Sequence, residues 1–130
     1  MSLRFTTSAR IPTTPAVLYA AWLSSEGHTK MTGAKANCTA KLGGAFQAWD
    51  GYIQGRNLEL QENERIVQAW RTGHFSAQEP DSRVEITLRA DGDATEVTLL
   101  HTGLPAHGMR YLQGWVDFYF SPMATYFSRD

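Results

Sequence analysis

The apolar residues of this chain fall into short period-two runs as far as Leu104 and repeat every 3.6 positions after Pro105. That switch limits the fold more than any other feature of the sequence. On the early side, Val84, Ile86 and Leu88 alternate with Arg83, Glu85, Thr87 and Arg89, a pattern that needs one buried and one wet face. Asp91-Gly92-Asp93 closes a hairpin. Beyond it Thr95, Val97, Leu99 and His101 share the parity assigned to the core, and Glu96, Thr98, Leu100 and Thr102 the other. After the switch, Leu112, Trp115, Val116, Tyr119, Phe120, Met123 and Phe127 make one stripe on a helix of about 20 residues. Pro122 is expected to kink it near Ser121, because proline lacks a backbone donor and crowds the preceding turn. A sheet with one apolar face and a helix with one apolar stripe bury each other, so the layout is α+β, with a curved antiparallel sheet against a long C-terminal helix.

The remaining elements follow from local signals. Leu3, Phe5 and Thr7 outline a weak opening strand that stops at Ile11-Pro12-Thr13. Thr14 as N-cap and Pro15 at the first helical position start a helix over 15–23, with Val17, Leu18, Ala21 and Trp22 on its buried face. Ser24 or Ser25 caps a second short helix from Glu26 to Met31, and Gly33 suits a left-handed C-terminal position. Strand-like runs at 35–41, 44–49, 52–62, 65–73, 82–90 and 95–103 form a meander with the first strand. In Ile66-Val67-Gln68-Ala69-Trp70-Arg71 either parity puts a polar residue inside; Ile66 and Trp70 are assigned inward.

At 130 residues the chain is expected to be one domain over 1–130. Twelve basic against 13 acidic side chains leave a net charge of -1, without the cationic field that nonspecific binding to nucleic acid or anionic membranes needs. Neither partner is expected. Cys38 is the one cysteine, which suits a reducing, cytoplasmic setting, and the opening Met1–Thr6 has no apolar leader segment. The four histidines, His28, His74, His101 and His107, have no metal-ligand spacing. No nucleophile elbow or phosphate loop is present, so no metal and no cofactor are expected. Glycines 43, 44, 51 and 55 fit turns and bulges, and Glu59, Glu62 and Glu64 fit the solvated rim of a hairpin tip at Gln61–Glu64. Asn37-Cys38-Thr39 matches a glycosylation sequon, which has no meaning without secretion.

Large rings are abundant for a chain this short: Trp22, Phe46, Trp49, Trp70, Phe75, Trp115 and Tyr119. They either fill a core or line a cavity between sheet and helix. If a cavity forms, its expected lining is Trp22, Phe46, Trp70, His101, Trp115 and Tyr119, with His101 able to orient a ligand. His101 and Arg71 each carry a plainer reading, an internally paired core histidine and a surface arginine.

Gly43-Gly44-Ala45-Phe46-Gln47-Ala48-Trp49-Asp50-Gly51-Tyr52-Ile53-Gln54-Gly55 with Asn57-Leu58-Glu59-Leu60, then Ile66–Arg71, Ser82–Ile86, Thr95–Leu99, Thr102-Gly103-Leu104-Pro105 and Gly114-Trp115, resemble in order the C-terminal domain of the activator of heat-shock protein 90 ATPase. The resemblance implies the START-like (SRPBCC) superfamily and its helix-grip fold, a sheet curled around a C-terminal helix. It carries over no catalytic residue, and the longer co-chaperone has a further N-terminal domain for which this chain has no room. Fold alone does not choose a function. The first reading is a non-enzymatic domain binding a small apolar ligand. The alternative is a co-chaperone-like module meeting a heat-shock protein 90 type chaperone, with Lys30, Lys35 and Lys41 as a basic edge. The third is a cyclase-like or hydrolase-like enzyme using His101. A homodimer through a strand edge or aromatic patch is compatible with each.

Overall fold

The computed structural model describes residues 2–128. The elements run β1 (Leu3–Ile11), α1 (Pro15–Leu23), α2 (Ser25–Thr32), β2 (Asn37–Cys38), β3 (Ala45–Ala48), β4 (Ile53–Gln61), β5 (Arg65–Thr72), β6 (Ser82–Asp91), β7 (Ala94–Leu104), α3 (Arg110–Trp115), a π-helical turn (Val116–Phe120) and α4 (Ser121–Phe127). All seven strands join one antiparallel sheet in the order β1-β7-β6-β5-β4-β3-β2. The sheet is curved, with the helices on its concave side. Irregular register between Leu3 and Phe5 and between Asn57 and Glu59 supplies local bends of the kind an extra residue introduces.

The caps are those the sequence specifies. Thr14 accepts from the Val17 amide and Pro15 opens α1; Ser24 accepts from the Gly27 amide, and Gly33 ends α2 at φ 84°. Between β6 and β7 the last pair is Asp91 with Ala94, and Gly92 takes φ 66°. Ile11, Val84, Ile86, Val97 and Leu99 form the floor of the core, and Leu18, Trp22, Met31, Trp115, Tyr119 and Met123 come down on it from the helices. Thr95 shares the inward face of β7 and donates its hydroxyl to the Thr13 carbonyl at 2.7 Å. Gly55 has no room for a side chain: a Cβ would stand 1.8 Å from the Ala69 carbonyl oxygen and 2.7 Å from the Phe46 ring.

Four expectations are corrected. Val17 is 48% exposed although the sequence pattern assigns it to a face with Leu18 and Trp22, because α1 is only two and a half turns long and buries just Leu18, Trp22 and Leu23. Val116 is likewise exposed. Pro122 is accommodated by a π turn ahead of it rather than by a break at Ser121: the Ser121 amide reaches back five residues to the Val116 carbonyl, and the backbone stays helical through Phe120 and Ser121. The turn advances the stripe, so that Tyr119 and Phe120 are both buried while Val116 and Phe118 turn outward. Glu59 lies in β4, where it accepts from Arg65 at 2.6 Å within an ion network that includes Glu85 and Arg83. Those long side chains flank Val67 and Ala69 on the outer face, which is why β5 is buried on both sides. Among the described residues no helix is long and apolar enough to cross a membrane.

Candidate functional site

The concave side of the sheet divides into a filled half and an open one. In the filled half, His101 stands on β7 with no exposed surface. The Trp115 indole N–H donates to its Nδ1 at 3.1 Å, so its Nε2 carries the proton and donates to the Ser82 hydroxyl at 2.8 Å. The Ser82 hydroxyl in turn donates to the Trp70 carbonyl at 2.8 Å. Every polar atom of this chain of bonds has a partner, and burial pushes the imidazole pKa down to about 3, so His101 is neutral. A second closed set lies beside it. His28 donates from Nδ1 to the Trp22 carbonyl and accepts at Nε2 from the Tyr119 hydroxyl, both at 2.8 Å. Burial lowers the His28 pKa and raises that of Tyr119. The Trp22 indole N–H donates to Gln68, and Gln68 to Asn57, which satisfies the inward-facing polar residue of β5.

The open half is a groove of about 320 Å3 between the far end of the sheet and the π turn. Trp70, Trp115 and Tyr119 form its inner wall; Trp49, Tyr52 and Phe118 form its outer rim. Tyr111 joins the wall from α3, its hydroxyl paired with Thr72 at 2.6 Å and its pKa pushed up to about 12 by burial. Trp49 stands at the β3–β4 turn with φ 52°, and Asp50 follows at φ 60°. Left-handed backbone at two consecutive non-glycine residues costs about 1–2 kcal/mol each, and here it holds the Trp49 ring 5.2 Å from that of Phe118, edge to face. The indole N–H groups of Trp49 and Trp70 are covered and have no protein acceptor.

Of the six residues expected to line a cavity, Trp70, Trp115 and Tyr119 border the groove. Trp22 and His101 sit behind them in the same ring cluster, Trp22 at 5.0 Å from Tyr119 and His101 at 4.6 Å from Trp70. Phe46 is apart, packed against Gly55 and bordering a smaller hollow of about 210 Å3 with Gln47, Gln54 and Arg56. Arg71 ties down the loop after β5, donating to the Ser76 and Glu79 carbonyls and to Asp81, with its guanidinium over Phe75. Tyr111 was detectable in the sequence, since it lies four residues before Trp115 on the same helical face. The rim positions of Trp49 and Phe118 depend on left-handed backbone and on a π turn, for which the local sequence has no clear mark. Burial also raises the Cys38 thiol to about 11, which leaves it protonated and a poor nucleophile.

This ring-lined crevice under a C-terminal helix goes with a match to the family described as activator of Hsp90 ATPase homolog 1-like protein, over residues 12–128. The chain belongs to this family. The activator of 90 kDa heat shock protein ATPase homolog 1 of Homo sapiens is 31% identical over 114 residues, covering 83% of this chain and 32% of that protein. An uncharacterized protein of Schizosaccharomyces pombe is 30% identical over 118 residues, covering 85% and 33% respectively. The chain thus spans about one third of the length of these relatives. An HSP90 activator from Plasmodium falciparum superposes with a TM-score of 0.79 at 21% identity, covering 92% of this chain and 91% of the other. The structure of Ara h 8.0201 superposes with a TM-score of 0.76 at 14% identity over the whole of both chains. At such identities the likeness establishes the fold, a START-like helix-grip. An Aha1 dimer from Colwellia psychrerythraea shares it, with a TM-score of 0.76 at 15% identity over 93% of each chain.

Proposed function

We propose that this member of the activator family is a co-chaperone-like module that binds a heat-shock protein 90 type ATPase in the cytoplasm. The observation that carries the reading is the family match along nearly the whole chain, together with relatives named as activators of that ATPase. The surface at the end of the sheet suits such a partner. Leu42 is 68% exposed, Leu58 is exposed beside it, and the intervening Gly43 amide donates to the Asn57 carbonyl at 2.9 Å, which holds the two segments together. Lys41 is exposed next to Leu42, and Lys35 is exposed at the other end of the β2–β3 pair, where its carbonyl accepts from the Asp50 amide; neither forms an ion pair among the described residues, whereas Lys30 is paired with Glu26. An apolar spot beside one unpaired lysine, on an edge that carries a second, fits an acidic chaperone surface. The test is pull-down with the purified chaperone at low and high salt, with an ATPase assay alongside. Association that weakens with salt, and weakens further in a Lys35→Glu, Lys41→Glu double variant, supports the reading; no association at low ionic strength sinks it.

A second reading is favoured by one specific feature, the groove. A crevice of about 320 Å3 falls at the lower end of the range of small-molecule sites, roughly 300–1,000 Å3, and its rim exposes apolar rings to solvent. On this reading the domain holds a small apolar ligand between sheet and C-terminal helix, with Trp70, Trp115 and Tyr119 as the contact wall and Trp22, Phe46 and His101 shaping the ring cluster and sheet around it. His101 supports such a site from behind its wall rather than as an acid or base, since both its nitrogens are engaged within the protein. A homodimer, the state named for the Colwellia relative, is a further proposal that sedimentation at several concentrations would decide.

A further inference from the structure

We infer that the groove selects small aromatic or apolar carboxylic acids, binding the ring against Trp70, Trp115 and Tyr119 with the carboxylate turned toward Arg110. The inference rests on the reading of the groove as a ligand site and adds the charge and shape of the occupant.

Three observations lead there. The first is the chemistry of the lining: it includes no aspartate or glutamate, and its side-chain polar groups are the phenols of Tyr52, Tyr111 and Tyr119, the indoles of the three tryptophans and the guanidinium of Arg110. All three phenols are engaged inside the protein. Tyr111 is paired with Thr72, Tyr52 with His74 at 2.6 Å, and Tyr119 with His28. No carboxylate in the lining can pair with a cationic ligand, and whatever the ring faces offer a cation is opposed by the like charge of Arg110 at the mouth, which attracts an anion instead.

The second observation is Arg110. It opens α3 at the mouth of the groove, exposed, and forms no ion pair or side-chain hydrogen bond among the described residues. Other arginines show what this chain does with an arginine it uses structurally: Arg65 is held by Glu59 and Glu85, and Arg71 by Asp81. Arg110 is left available, within electrostatic reach of Tyr111. A guanidinium offers two parallel donors that match a carboxylate.

The third is shape. The walls are flat rings, and a volume near 320 Å3 accommodates one or two fused rings better than a long acyl chain. Gly114 keeps the helix side of the slot clear, since the nearest atom a Cβ there would meet is Phe118 Cδ2 at 3.9 Å. Phe118, more than half exposed on the π turn, and Trp49 across from it can close over an inserted ring.

The experiment compares three probes of one shape by calorimetry on the full chain: 2-naphthoate, 2-naphthamide and 2-naphthylmethylammonium. The expected order is naphthoate about tenfold tighter than the amide, as one charge-assisted pair provides, with the ammonium weakest. Arg110→Gln should bring naphthoate down to the affinity of the amide and leave the amide and the melting temperature unchanged. Raising the salt should narrow the gap between the two. Equal binding of all three, or an Arg110→Gln variant that keeps the preference for naphthoate, overturns the carboxylate assignment while leaving a ligand groove in place. Binding by none of them overturns the groove reading and this inference with it.

Discussion

The two halves of the concave face are built from the same kinds of side chain and differ in whether their polar atoms are paired. Around His101 a tryptophan, a histidine, a serine and a backbone carbonyl form a closed relay. Around Trp49 and Phe118 there are as many rings, but the Trp49 indole N–H has no acceptor, that of Trp70 on the border between the halves has none either, and two rings lie partly in water. Leaving a buried donor unpaired costs about 1–3 kcal/mol, and left-handed backbone at Trp49 and Asp50 adds to that. A chain that needed only a core has a cheaper arrangement in the relay a few ångströms away. On the readings proposed above, the filled half serves stability and the open half contact with another molecule.

The sharpest way to break this division is to truncate one ring on each side. Trp115→Ala removes a side chain that is 3% exposed and leaves His101 without its donor. By the usual cost of emptying a large core site it should lose about 3–5 kcal/mol in urea unfolding. A loss below about 1 kcal/mol would mean that the filled half is not packed as described. The next effect is acid sensitivity. His101 and His28 both titrate below the ordinary histidine value in the folded protein, so the unfolded chain binds more protons once the pH falls beneath about 6.5. Stability is therefore full above that pH and declines below it, by at most about 1.4 kcal/mol per pH unit for each histidine. For His101 the decline continues toward about pH 3. Unfolding curves at pH 7, 6 and 5 should show the slope, and His101→Gln should reduce it while leaving the share of His28. A flat profile from pH 7 to 5 would show that neither imidazole is held neutral.

Much of the filled half is written in local sequence. Thr14-Pro15 and Ser24 with Gly33 place the two short helices, period two in Val84–Leu88 and Thr95–His101 sets the faces of β6 and β7, and Trp115 and Tyr119 share a stripe. Such signals repeat along an element, so several residues vote for each assignment. The open half has no such redundancy. Phe118 reaches the rim because five residues form a π turn ahead of Pro122; a uniform α-helix period would put Val116 on the core side and does not predict where Phe118 goes. Trp49 reaches it through two left-handed residues that are not glycine. Phe46 shows the converse: its alternation correctly puts it inside β3, but which hollow it borders depends on how far the sheet has curled by that strand.

A smaller change probes the relay one bond at a time. Ser82→Ala deprives the His101 Nε2 proton of its acceptor without opening a large cavity. It should cost about 1–3 kcal/mol, the penalty for a buried donor left alone. A loss within about 0.5 kcal/mol, the usual range for surface changes, would mean that the relay is slack and that pairing does not separate the two halves.

The smallest expected effect is the one that decides whether the open half is a site. Phe118 is 54% exposed and meets Trp49 by a single edge-to-face contact. Phe118→Ala should change unfolding free energy by no more than about 0.5–1.5 kcal/mol, the worth of such a pair, far less than Trp115→Ala. If the rim exists to hold a ligand, the same variant should bind 2-naphthoate several-fold more weakly, because an inserted ring loses one of its two covering faces. Stability and binding would then separate at Phe118 and move together at Trp115. A Phe118→Ala variant that loses stability on the scale of Trp115→Ala would place Phe118 with the core, and the partition between filled and open halves would dissolve at the residue where it is drawn most clearly.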